Sequence, residues 1–245
     1  MKREIAILIA AGKGERMRPL TLTTPKPLVA VHGRPMIETV IEGLRRRGVA
    51  EIYITVGHLG EKFSYLPEKY PNVTLIGNPE YTVKNNISSI YAARDVMGEC
   101  DCFVCEADIF VSDPSIFDAE LESSCYFGKF VKGFSGDWLF DTDESGRITR
   151  VGKCGTDKYN MCGICFLTAK DAATVRDATL AAYRGEGYEQ KYWDEIVDEN
   201  LDAIPMTVHP VDPSALVEID TVDELIAEES RTHTPCGEGF SRLLP

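Results

Sequence analysis

No stretch of the 245-residue chain approaches the ~20 consecutive apolar residues that a membrane-spanning helix needs. Positive charge is also scarce: 26 Lys and Arg stand against 39 Asp and Glu, a formal net charge of −13. A chain this acidic has no general positive field for a nucleic-acid backbone. A secretory leader is not expected, because the apolar run after Met1-Lys2-Arg3 stops at Gly12 and gives way to charge. Two familiar phosphate-binding signatures are missing as well. Gly-x-x-x-x-Gly-Lys-[Ser/Thr] does not occur, and Gly-x-Gly-x-x-Gly fails because Met17 stands where the third glycine belongs.

The eight cysteines imitate a metal site without the right geometry. Cys102-x-x-Cys105 and Cys162-x-x-Cys165 have the spacing of a four-thiolate zinc centre. Both pairs lie in apolar, strand-like runs, where residues three apart point to opposite faces. Buried free thiols are therefore expected, and with them a reducing, cytoplasmic setting.

What is present is concentrated in residues 9–36. An apolar strand is expected over Glu4–Ala10. Ala10 and Ala11 then lead into Gly12-Lys13-Gly14, where the backbone can approach a ligand and its N–H groups can surround an anion. Arg16 can hold two phosphate oxygens at once. Ten residues on, Pro25 and Pro27 stiffen the chain around Lys26. The whole pattern is Gly-x-Gly-x-Arg-x-x-Pro-x-Thr, then Pro-Lys-Pro-Leu, then Gly-x-Pro-Met.

This pattern resembles the nucleotide-binding loop of the sugar-phosphate nucleotidylyltransferases, which join a nucleoside triphosphate to a phosphorylated small molecule and release pyrophosphate. Within that family the chain is most similar to the branch of bacterial CTP:phosphocholine cytidylyltransferases, over about residues 4–228. The resemblance implies a Rossmann-like α/β fold: an open, mostly parallel sheet flanked by helices, with a β-rich acceptor-binding lobe. One domain is expected over 1–230, with a nucleotide-binding half to about 110, an acceptor half from 111, and a loose tail at 231–245.

Taken in order, a helix is expected from Pro35 to about Arg47, its last turn carrying Arg45, Arg46 and Arg47 on a solvated face and Gly48 ending it. Strands at 51–56 and 73–76, with a helix at 61–70 between them, imply parallel pairing. Asn85 or Asn86 can cap a helix over 87–97. The same amides and hydroxyls can read a pyrimidine edge, and the resemblance selects Asn86 and Ser89 for that role. A strand at 101–107 ends in Glu106-Ala107-Asp108, where ligands bind in open α/β sheets. Beyond 110, strands are expected at 124–131, 138–141, 148–151 and 161–167, with a turn at 143–146. Helices are expected at 170–183 and 191–201, late strands at 205–210 and 215–219, and a last helix over Val222–Glu229.

Asp108 and Asp220 each have a plain reading as turn or helix caps. The resemblance makes both of them Mg2+ ligands, since magnesium takes few carboxylates and completes its shell with water and phosphate oxygens. It assigns the triphosphate to Ala10, Ala11, Gly12, Lys13, Gly14 and Arg16, with Glu106 beside them, and charge neutralisation at the reacting phosphates to Lys26. Of the two tryptophans, Trp138 can belong to the core or, with Tyr192, Asp194 and Glu218, hold a cationic headgroup. Lys132, Lys153 and Lys158 are equivalent candidates for the acceptor phosphate. The expected reaction is transfer of CMP from CTP to phosphocholine. The alternatives are 2-aminoethylphosphonate, phosphoethanolamine, a sugar 1-phosphate, or a non-catalytic binding module on the same fold.

Overall fold

The computed structural model describes residues 2–231. Its elements run β1 (Glu4–Ala10), β2 (Ala30–Val31), β3 (Arg34–Pro35), α1 (Met36–Arg47), β4 (Glu51–Val56), α2 (Tyr65–Lys69) and β5 (Val73–Gly77). After these come α3 (Ile87–Ala92), β6 (Asp101–Glu106), β7 (Ile109–Val111), β8 (Cys125–Thr142) and β9 (Ile148–Leu167). The described residues close with α4 (Ala169–Ala182), α5 (Trp193–Asp198), β10 (Thr207–Pro210), β11 (Leu216–Glu218) and α6 (Val222–Glu229). The expected tail at 231–245 lies, apart from Arg231, outside the described residues.

A seven-stranded sheet in the order β10-β8-β9-β6-β1-β4-β5 runs through both halves of the chain. β6-β1-β4-β5 are parallel, as the strand–helix alternation requires, whereas β9 is antiparallel to both β6 and β8. The mostly parallel α/β sheet expected from the sequence is therefore present with a mixed edge.

Side-chain alternation along β1 builds the two faces. Ala6, Leu8 and Ala10 join the layer with α1 and α2. Ile5 and Ile7 join the opposite layer with Ile90, Val175, Trp193 and Val197 from α3, α4 and α5. The thiols obey the same rule: Cys105 and Cys162 fall in the first layer, Cys102 and Cys165 in the second. A third, smaller cluster, with Met17, Val29, Met36, Phe110 and Ile219, underlies the glycine loop.

Two expectations need correction. The four strands expected over 124–167 are two long ones, β8 and β9, joined by the turn at 143–146. Their glycines and charges read as turns, but the structure absorbs them as register shifts within one bent ladder. The arginines ending α1 are not all solvated. Arg47 donates to the Glu4 carboxylate at 2.6 and 2.9 Å and to the carbonyls of Phe117 and Ala119, locking α1 to the sheet. Gly48, at φ 90°, closes the helix as expected.

Candidate active site

The site forms because β7 and β11 pair antiparallel, with Glu218 opposite Ile109. That short ladder brings the end of the chain back to the end of β6 and sets Asp220 beside Asp108. Lys26 lies between them: its Nζ donates to Asp108 Oδ2 at 2.6 Å and to Asp220 Oδ1 at 2.6 Å. Arg16 Nη2 donates to the same Asp220 oxygen at 2.7 Å. Lys26 is only 6% exposed. Burial works against its ammonium, but the charges and hydrogen bonds of Asp108 and then Asp220 outweigh it and hold its pKa above the ordinary lysine value.

The loop that carries Lys26 is braced rather than floppy. Gly14 adopts φ +60°, and a Cβ there would meet Lys26 Cβ at 2.9 Å and Thr21 Cγ2 at 3.0 Å. Glycine is required for the loop to fold over Lys26. Thr21 donates to the Gly14 carbonyl, and His58 is fixed to the Thr21 carbonyl through Nε2 and to Ala11 O through its backbone N–H. At Gly12, by contrast, an added Cβ would meet nothing within 4 Å, because it faces open space.

That open space is a cleft of about 370 Å3, bounded by Ala10, Ala11, Gly12, Gly14, Arg16, Lys26, Asn86, Ser89, Glu106, Asp108 and Asp220 among the expected residues. Lys13 does not line it. Asn85, the other cap candidate, also lines it, as do Asn78, Tyr81, Lys84 and Ser88, which were not singled out from the sequence. Asn78 had a signal in its position directly after β5. It is buried, with Nδ2 donating to Ser88 Oγ at 2.9 Å and Ser89 Oγ at 3.2 Å. Tyr81 had none, since it depends on the absence of a side chain at Gly57, where a Cβ would meet its ring at 2.6 Å. Asn86 occupies the first position before α3 but makes no cap with its side chain. Its Oδ1 instead accepts the Trp193 N–H at 2.8 Å and ties the cleft to α5.

The other expected residues gather beyond Glu106. Trp138 and Tyr192 meet edge to face, with ring centroids 5.3 Å apart. Asp194 is buried and accepts from the Tyr126 hydroxyl at 3.0 Å. Burial pushes its carboxyl up to about 7, against the pull of that hydrogen bond. Like Trp138, Tyr192 and Asp194, Glu218 does not line the cleft; it is exposed. The surrounding protein displaces enough water, and Asp108 and Asp220 lie near enough, to lift it to about 7. Glu106 is raised well above the carboxylate range, first by burial and then by the charges of Asp108, Glu218 and Asp194. Gly163, at φ +70°, shapes this wall: a Cβ there would press on Glu106 Cβ and Oε2 at 3.1 Å.

The three lysine candidates separate. Lys158 pairs with Asp141 at 2.9 Å. Lys153 Nζ sits 5.3 Å from the Trp138 ring centroid and 5.7 Å from that of Tyr192. Lys132 stands exposed on β8.

The donor set fits Mg2+. Asp108 and Asp220 each give one oxygen to Lys26 and carry a second hard carboxylate oxygen, and both line a cleft with room for phosphate oxygens. A glycine loop, two cations and a pair of carboxylates beyond the carboxyl ends of parallel strands suit nucleotidyl transfer.

The comparisons place the chain accordingly. The MobA-like NTP transferase domain matches residues 6–125. The chain is 49% identical to 2-aminoethylphosphonate cytidylyltransferase of Lancefieldella rimae, over 91% of this chain and 90% of that one. It is 31% identical to choline-phosphate cytidylyltransferase of Haemophilus influenzae, over 89% and 93% of the two chains. The solved CTP:phosphocholine cytidylyltransferase of Streptococcus pneumoniae superposes with a TM-score of 0.85 at 31% identity, covering 93% of this chain and 98% of that one. The chain belongs to the MobA-like NTP transferase family of nucleotidyltransferases. Within that class it is of the cytidylyltransferase type, using CTP.

Among the described residues, no helix is long and apolar enough to cross a membrane.

Proposed function

We propose that the chain transfers CMP from CTP to 2-aminoethylphosphonate. A phosphonate oxygen attacks the α-phosphorus of CTP, the bond to the bridging oxygen of the leaving group breaks, and pyrophosphate departs. The observation that carries the acceptor assignment is the group of Glu106, Asp194 and Glu218, whose carboxyls are all raised and which make no ion pair among the described residues, Lys26 being taken by Asp108 and Asp220. A primary ammonium supplies a cation for them and hydrogen-bonds to several oxygens at once. The 49% identity to a 2-aminoethylphosphonate enzyme, against 31% to phosphocholine enzymes, supports the same choice. The sequence alone favoured phosphocholine, because the chain resembles the phosphocholine branch and Trp138, Tyr192, Asp194 and Glu218 suit a quaternary headgroup.

In this reading the glycine loop and Arg16 bind the triphosphate. Lys26 neutralises charge at the reacting phosphates, where such groups act mainly by positioning and charge stabilisation. Asn86 and Ser89 flank the base. Asp108 and Asp220 would hold Mg2+, which supplies Lewis-acid stabilisation of phosphate oxygens. Pyrophosphate release from CTP, measured with 2-aminoethylphosphonate, phosphoethanolamine, phosphocholine and sugar 1-phosphates in parallel, tests the assignment. Fastest turnover with 2-aminoethylphosphonate is expected, and preference for any other acceptor rejects it.

A further inference from the structure

Lys153 and Trp138 are direct cross-strand partners on β9 and β8, so their side chains share one face. The backbone on the lysine's side is pinned: Arg150 donates to the carbonyls of Lys153 and Cys154, at 3.3 and 3.4 Å. Tyr192 completes the group from the start of α5. Its backbone N–H donates to Glu195 Oε2 at 2.7 Å, and the next residue is held by Asn86. The Trp138–Tyr192 wedge is therefore set from two sides, and the ammonium of Lys153 rests against both rings.

Lys153 makes no ion pair with a carboxylate among the described residues, unlike Lys158 on the same strand, which pairs with Asp141. Its principal contact is the aromatic pair. That is the place a trimethylammonium group would choose, because such a group donates no conventional hydrogen bond and relies on aromatic faces. A protein ammonium already there excludes it twice, by volume and by like charge. A primary ammonium is not excluded in this way, since carboxylates rather than ring faces can bind it.

We propose that Lys153 is a specificity-determining residue: it fills the Trp138–Tyr192 aromatic pair with the protein's own cation and so turns away quaternary-amine acceptors. This inference rests on the reading of the acceptor as 2-aminoethylphosphonate.

The test compares the full chain with Lys153→Ala and Lys153→Arg, measuring kcat/KM for phosphocholine and for 2-aminoethylphosphonate at saturating CTP. Lys153→Ala should raise kcat/KM for phosphocholine in absolute terms. The phosphocholine-to-2-aminoethylphosphonate ratio should rise roughly 2- to 30-fold, the span of one cation–aromatic contact. Lys153→Arg should keep the wild-type ratio. A merely structural lysine, or one that binds the phosphonate group, would lower both substrates together, and that result overturns the inference. An unchanged ratio overturns it too, and leaves the acceptor assignment standing if wild type still prefers 2-aminoethylphosphonate. Wild-type preference for phosphocholine defeats the assignment, and the filter with it.

Discussion

Lys26 and Asp220 are 194 residues apart in sequence and 2.6 Å apart in the fold. The contact exists because β11 runs back beside β7, and it gives the Lys26 ammonium a second carboxylate, from the far half of the chain, beside Asp108 of its own half. Lys26→Ala leaves Asp108 without its ammonium partner and Asp220 with Arg16 alone. We expect kcat to fall by more than the KM for CTP rises, because the lysine's charge matters most as the phosphates react. An effect confined to KM would reduce Lys26 to a ground-state binding residue.

Asp108→Asn and Asp220→Asn should each lower turnover by about 10²-fold or more, the scale on which loss of one electrostatic stabiliser acts. An amide is a poor magnesium ligand, and higher Mg2+ should recover only part of the rate. Initial rates across a Mg2+ series decide this. Near-normal rates in either variant at saturating Mg2+ remove that carboxylate from the metal site.

The two loop glycines make opposite predictions. Gly14→Ala forces a side chain at φ +60° into Lys26 and Thr21. It should cost about 1–3 kcal/mol of stability, which for a chain of this size is a fall of roughly 2–12 °C in Tm. Gly12→Ala meets no protein atom and should keep Tm, while raising the KM for CTP by crowding the phosphates. Equal Tm losses in a thermal melt of the two variants would contradict the division.

How far the sequence carried this picture follows from which signals are local. β1, β4, α1 and α6 announce themselves by periodicity, caps and breakers within a dozen residues, and the structure has them at 4–10, 51–56, 36–47 and 222–229. The place of Gly12, Gly14, Arg16 and Lys26 around the cleft was legible because all four lie in one stretch of chain. The helix expected at 87–97 stops at Ala92 and tightens to a 3-10 turn over Arg94–Val96, a tertiary effect without a local marker. The β7–β11 ladder was only half legible. A strand was expected at 215–219, where β11 lies, but β7 is three residues long and nothing local says that the two pair and put Asp220 beside Asp108. Lys153 on the aromatic pair depends on the register of β8 against β9, which bulges shift and sequence does not reveal.

Asp194 gives a pH test. Its folded carboxyl titrates near 7, above the ordinary aspartate value. Between those values the folded state holds the extra proton, so this stability is fully present at low pH and is lost as pH rises through about 7. Asp194→Asn stays neutral throughout, and its amide oxygen still accepts from Tyr126. The Tm advantage of the variant over wild type should therefore grow between pH 5 and pH 8 by about 2 kcal/mol, or roughly 4–8 °C. A difference that stays constant with pH would mean that Asp194 is ionised in the fold at both values.

The most direct test of the account is to incubate the purified chain with CTP, Mg2+ and 2-aminoethylphosphonate and follow the products by phosphorus NMR, with phosphocholine in a parallel reaction. The account predicts one pyrophosphate for each new phosphate–phosphonate linkage, formed faster than the phosphocholine product and nearly abolished by Asp108→Asn. Failure to form that linkage, or faster conversion of phosphocholine, would contradict it.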